Sequence, residues 1–160
     1  MASPLPEGFT ILPPATGTAS SCEPILRSAP EWFGIEASIV EYVETIDRLP
    51  TVLAMRSEEA VGFMTIEQHF PQSSELHVLC VRPEWHRQGI GAALLAASEA
   101  YLRGLGTRFL QVKTLSPRRA CTAYERTRRW YEAMGFTPLT EFPTLWDAEN
   151  PCLQLIKVLD

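Results

Sequence analysis

Between Ile35 and Leu49 the apolar side chains recur at helical spacing, at Ile35, Ile39, Tyr42, Val43, Ile46 and Leu49, and Pro50 follows. That period predicts an amphipathic helix stopped by the proline. The pattern then changes. "TVLAMR" and "AVGFMTIEQH" are rich in β-branched and aromatic residues and flank Ser57-Glu58-Glu59, which reads as a hairpin, and "ELHVLCV" reads as a third strand. Helical spacing returns in "GIGAALLAASEAYLRGLG", where Ile90, Leu94, Leu95, Ala97, Tyr101 and Leu102 share a face and Gly104 and Gly106 end the run. "RFLQVKT" predicts a strand, Cys121 to Met134 a helix ended by Gly135, and "TPLTEF" and "CLQLIKVL" two last strands. Upstream, "FTILP" predicts a short edge strand and "CEPILRSAPEWFG" a short helix broken by Pro30. The order β-α-α-β-β-β-α-β-α-β-β is that of a single α/β domain spanning residues 1–160 with a mixed sheet.

Composition narrows what this domain does. At 160 residues and 46% apolar the chain can bury one substantial core. No apolar run approaches a membrane span, and "MASPLPEGF" has neither the basic start nor the apolar run of a signal peptide, so a cytoplasmic protein with no membrane partner is expected. Cys22, Cys80, Cys121 and Cys152 are scattered without close pairs, and none of the three histidines is spaced as a metal pair, so reduced thiols and no metal site are expected. A net charge of −5 argues against nucleic acid. The charge is uneven: residues 1–80 hold three basic and eleven acidic side chains, residues 81–160 eleven basic and eight acidic. An acidic half joined to a basic half suits a cationic ligand meeting an anionic one.

The anionic partner has a candidate seat. In "VRPEWHRQGIGAALL" a strand runs into a short loop with two glycines and then a helix. A helix start leaves N–H groups unpaired and carries partial positive charge, while Gly89 and Gly91 clear side chains from an approaching phosphate. Arg87 and Gln88 add donors. A dinucleotide fingerprint would need a third glycine where Leu94 stands, and a phosphate-binding P-loop would need Gly-Lys-Ser/Thr.

The same stretch resembles the acetyl-CoA-binding motif of the GNAT N-acetyltransferase superfamily, Arg/Gln-x-x-Gly-x-Gly/Ala. "RRWYEAMGF", residues 128–136, resembles that superfamily's second signature, an aromatic-Tyr pair followed by Gly-Phe. The resemblance implies a central mixed, mainly antiparallel sheet of six to seven strands flanked by four helices, and acetyl-CoA as acyl donor. It departs at His86, where relatives carry Arg or Gln, and at Tyr124, where many carry an Asn that contacts the pantetheine arm.

The resemblance also implies roles. Backbone amides from His86 through Arg87, Gln88, Gly89, Ile90 and Gly91 to Ala92 would hold the pyrophosphate. The pantetheine arm would pair along Leu79, Cys80 and Val81, with Tyr124 nearby. Tyr131 would return a proton to the departing thiolate. Glu75, fourteen residues before Gly89, stands where histone-type members carry their basic glutamate. Strand alternation would place it on one face with His77, Leu79 and Val81, opposite Cys80. His77 is a second base candidate by its near-neutral intrinsic pKa. Trp32 and Phe33, with Tyr42 and with Trp146 and Asp147 in a late "PTLWDAENP" loop, would line the acceptor site. Aromatic walls in an acidic half favour a small-molecule amine that is cationic. A protein or peptide lysine, a Cys80-based ping-pong enzyme and a non-catalytic acyl-CoA-binding module are the alternatives. Dimers of relatives through late strands suggest a homodimer through "CLQLIKVL".

Overall fold

The computed structural model describes residues 4–160, so Met1–Ser3, part of the stretch read for a leader, lie outside the described residues. The elements are β1 (Phe9–Ile11), α1 (Ala19–Arg27), α2 (Glu36–Arg48), β2 (Thr51–Arg56), β3 (Glu59–Phe70), β4 (Ser73–Val81), α3 (Ile90–Gly104), β5 (Phe109–Leu115), α4 (Thr122–Ala133), β6 (Thr137–Asp147) and β7 (Asn150–Val158), with a 3-10 turn at Pro83–Trp85. Seven strands form one sheet in the order β1-β2-β3-β4-β5-β7-β6. Every neighbouring pair is antiparallel except β4 and β5. Among the described residues no helix is long and apolar enough to cross a membrane.

Two cores bracket the sheet. Helix α3 packs against β1–β4, and α4 against β5, over Met64, Ile66, Leu76, Leu94, Leu102, Leu110, Val112 and Leu155. On the other face α1 packs on β3 and β4 with α2 beside it, over Cys22, Ile25, Leu26, Ile46, Phe63 and Val78. Each core is built from strand residues two apart and helix residues three or four apart, which is why the periodicities were legible.

Three expectations need correction. The first helix lies at Ala19–Arg27, beginning before Cys22 and ending before Pro30; Ala29 to Gly34 form a turned loop in which Trp32 and Phe33 N–H groups both reach the Ala29 carbonyl. "PTLWD" is the far half of β6 rather than loop; Trp146 is exposed there, and the Asp147 carboxylate caps its own turn through the Glu149 and Asn150 amides. The third concerns β4. Thr65 pairs with Val78 and the next residue, Ile66, with Leu76, so His77 is an extra, bulged residue. A bulge reverses alternation beyond it. Leu79 and Val81 therefore join Leu76 on the α3 side, while Val78 and Cys80 face α1. Glu75 shares its face with Cys80, not with Leu79 and Val81.

Candidate active site

The parallel strands β4 and β5 pair only from Ser73–Leu76 to Phe109–Val112 and then diverge. Beyond that point β4 stays bonded to β3, and its opposite edge opens into a wedge. The Arg82 N–H donates to the Val61 carbonyl on β3 at 2.8 Å, so the Val81 carbonyl, on the other side of the same peptide plane, points into the wedge. By the two-residue period Leu79 presents its N–H and C=O there too. Backbone groups left without a strand partner in this way suit an amide-bearing ligand lying as an added strand. On β5, past the last pair with β4, the Thr114 hydroxyl is buried without a partner.

The wedge leads to the glycine loop, and the two glycines do different work. Gly89 caps α3 at φ 83° with nothing near its missing Cβ, and Arg87 also sits at positive φ, 61°. This leaves open space in front of the first-turn amides of α3, none of which has a side-chain cap. Gly91 instead makes room for protein: a Cβ there would lie 3.1 Å from the Trp130 ring of α4. Gly91→Val is expected to force α3 and α4 apart at a cost of about 1–3 kcal/mol, read as a lower melting temperature. Unchanged stability would contradict this packing role.

Tyr131, one residue on, is 4% exposed, with its ring edge-on to Trp130 at 5.4 Å and Phe136 at 5.5 Å. Burial drives its hydroxyl pKa far above the ordinary tyrosine value, and the nearby Tyr124 and Tyr42 hydroxyls add to the shift. Tyr124 donates at 2.8 Å to the Trp32 carbonyl. The Trp32 indole N–H in turn donates to Thr127 Oγ1 at 2.9 Å, so the α1–α2 loop is strapped to α4. Arg126 extends the strap by pairing with Glu31 at 3.3 Å. Arg118 pairs with Glu141, Arg129 with Glu125, and Arg128 donates to the Leu115 carbonyl, so these arginines have protein partners.

On the α1–α2 side of the sheet Glu75 is 6% exposed. Its carboxylate accepts from Lys113 Nζ at 3.1 Å on both oxygens and meets His69 Nε2 at 2.8 Å. Glu67, His69 and Glu75 bring ligand atoms within 4.8 Å of one another, but the Lys113 ammonium already occupies the Glu75 carboxylate. His77, at the bulge, lies 3.6 Å from the Glu67 carboxylate and edge-on to the Tyr42 ring at 5.8 Å; Tyr42 meets Phe33 at 5.9 Å. Burial lowers the His77 pKa below its usual 6.5, against the opposing pull of Glu67 and Glu75. His77, Tyr42 and Phe33 therefore form one wall. Trp32 turns the other way, edge-on to His86 at 5.5 Å. Cys80 points at α1, and burial pushes its thiol up to about 12, which makes it a poor nucleophile.

Sequence reasoning missed Glu67, His69, Lys113 and Thr114. Each lies on a strand, and only the register of β3, β4 and β5 gathers Glu67, His69 and Lys113 beside Glu75 while leaving Thr114 past the last β4 pair; the alternation of Gln111 and Lys113 with Leu110 and Val112 was the available signal.

A family model described as an acetyltransferase (GNAT) domain matches residues 48–138. No curated protein matches the chain. Among solved structures, a GNAT-family protein from Desulfovibrio desulfuricans superposes with a TM-score of 0.82 at 18% identity, covering 95% of this chain and 99% of that one. A GNAT acetyltransferase from Elizabethkingia anophelis with acetyl-CoA bound gives 0.73 at 16% identity, covering 96% and 100%. The ribosomal-protein-S18-alanine N-acetyltransferase from Escherichia coli gives 0.74 at 16% identity, covering 95% and 94%.

Proposed function

Because the chain belongs to the GNAT acetyltransferases, we propose that it moves an acetyl group from acetyl-CoA to a primary amine of a small cationic molecule, in one step within a ternary complex. The wedge between β4 and β5 carries this reading: it ends at an uncapped helix start and lies beside a wall bearing a neutral imidazole. The residues fit the donor. Leu79 and Val81 offer backbone groups with no strand partner to its arm, and the amides from Gly89 to Ala92 offer donors to its pyrophosphate. When bound, acetyl-CoA supplies an electrophilic thioester. The Leu79 N–H then polarises the acyl carbonyl. His77 accepts the proton the ammonium must lose, since only the free amine has a lone pair. Glu67 faces His77 and stabilises the imidazolium that results. Glu75, held by Lys113 and His69, keeps the floor of the site in place rather than taking the proton itself. Tyr131 holds a proton at Oη for the leaving sulfur.

The acceptor class follows from charge and shape. Lys113 neutralises Glu75, whereas Glu67 is part-exposed beside an imidazole that is neutral at pH 7, so one net negative charge faces aromatic rings. An ammonium on a compact body suits that setting. A polypeptide acceptor is the second reading, favoured by the exposed Phe109, Phe142 and Val158, which the strand register places on the same sheet face.

The test is acetyl-CoA-dependent acetylation across small amines, polyamines and lysine peptides, with a pH profile on the best acceptor. His77 accepts a proton only when neutral, that is, above its pKa. At saturating acetyl-CoA, kcat/KM for the acceptor should therefore rise with pH through a pKa below 6.5. His77→Ala should remove that limb. A limb that persists in His77→Ala and vanishes in Glu75→Gln would transfer the base role to Glu75, and faster turnover of peptides than of any small amine would favour the second reading.

A further inference from the structure

The Val81 carbonyl, aimed into the wedge, does not stand free. The His86 imidazole folds back from the glycine loop and places Nε2 2.7 Å from it. A carbonyl only accepts, so Nε2 carries the proton and donates. The opposite neighbour of this imidazole is Trp32, whose ring meets it edge-on at 5.5 Å with 77° between planes. Trp32 is held on its other side by Thr127 and Ala123 of α4. One side chain thus touches both the backbone acceptor of the donor groove and the loop that walls the acceptor side.

We infer that the His86 side chain is an internal stand-in for the donor's amide rather than a donor ligand, and that acetyl-CoA binding displaces it from Val81 and from Trp32. This rests on the donor groove proposed above. The Val81 carbonyl faces the wedge with an N–H already upon it, so an arm lying along Leu79 and Val81 must take that place. Once displaced, the imidazole no longer braces Trp32, and the Trp32 side chain keeps its hydrogen bonds to α4 without that second support. Donor binding then loosens the acceptor wall, which couples the two sites through a single hydrogen bond.

The experiment is calorimetric titration of CoA into wild type, His86→Ala and His86→Gln, with hydrogen exchange of residues 28–35 measured with and without CoA. His86→Ala removes the competitor, so CoA should bind about three- to tenfold tighter. Loop exchange in that variant should be fast in both states, whereas in wild type it should accelerate only when CoA is added. His86→Gln retains a side-chain N–H for Val81 and should move both readouts back toward wild type. Melting curves confirm that each variant is folded. CoA affinity that falls or stays level in His86→Ala, or wild-type loop exchange indifferent to CoA, overturns the inference while leaving the donor groove intact. Wild type that binds no CoA overturns both.

Discussion

Tyr131→Phe should lower kcat by about 10²-fold, within the range for losing a positioned general acid, with CoA affinity and melting temperature close to wild type. The expectation follows from what the substitution spares. The ring is the packed part, edge-on to Trp130 and Phe136 in the α3–α4 core, and phenylalanine keeps it. Only the hydroxyl is lost. Burial raises its pKa, so the hydroxyl stays protonated and can only donate, never serve as a base. The split is diagnostic: a merely structural tyrosine would lose stability before turnover, and a donor-binding one would raise KM for acetyl-CoA. Wild-type kcat in a folded Tyr131→Phe protein would remove Tyr131 from the chemistry.

The second large effect is on stability. Lys113→Met should destabilise the fold by about 3 kcal/mol, near the lower end for breaking a buried pair because Lys113 is itself part-exposed. Glu75 is the reason. It is buried on a sheet face and accepts from Lys113 through both oxygens, so removing the ammonium leaves a carboxylate with only His69 and Gln111 beside it. Lys113→Arg should retain most of the stability. Glu75→Leu combined with Lys113→Met should recover much of the loss, because the unpaired charge goes too. Denaturant unfolding of the three variants reads this directly. A Lys113→Met protein as stable as wild type would mean that the network contributes nothing to the fold.

Much of this architecture could be read in the chain because its elements are locally consistent. The α2 and α3 periodicities, the stops at Pro50, Gly104 and Gly135, and the β-branched strands each point to one conformation, and each forms. The glycine loop and the Tyr131 helix were legible for the same reason, since their residues are close in sequence. Faces were harder. A single extra residue at His77 carries no compositional mark, yet it reversed the side of every β4 residue beyond it. Cys80 remains an unsuitable nucleophile, but through burial of its thiol rather than through facing away from Glu75. Gly91 looked like a phosphate-loop glycine and proved to be a packing glycine against Trp130, a residue 39 positions away. The Glu67–His77 and His69–Glu75–Lys113 groupings depend on three strands in register, a long-range fact that local pattern does not encode.

Direct transfer of acetyl from acetyl-CoA to an amine is tested most simply by mass. Wild type would be mixed with acetyl-CoA and the best acceptor, quenched early, and the free thiol, the acetylated amine and the intact protein quantified together. One CoA thiol released per acetylated amine, with no mass added to the chain and the same rate after thiol-blocking treatment, is the expected result. An acetyl group found on Cys80, or CoA bound with no amine acetylated across the panel, would contradict it.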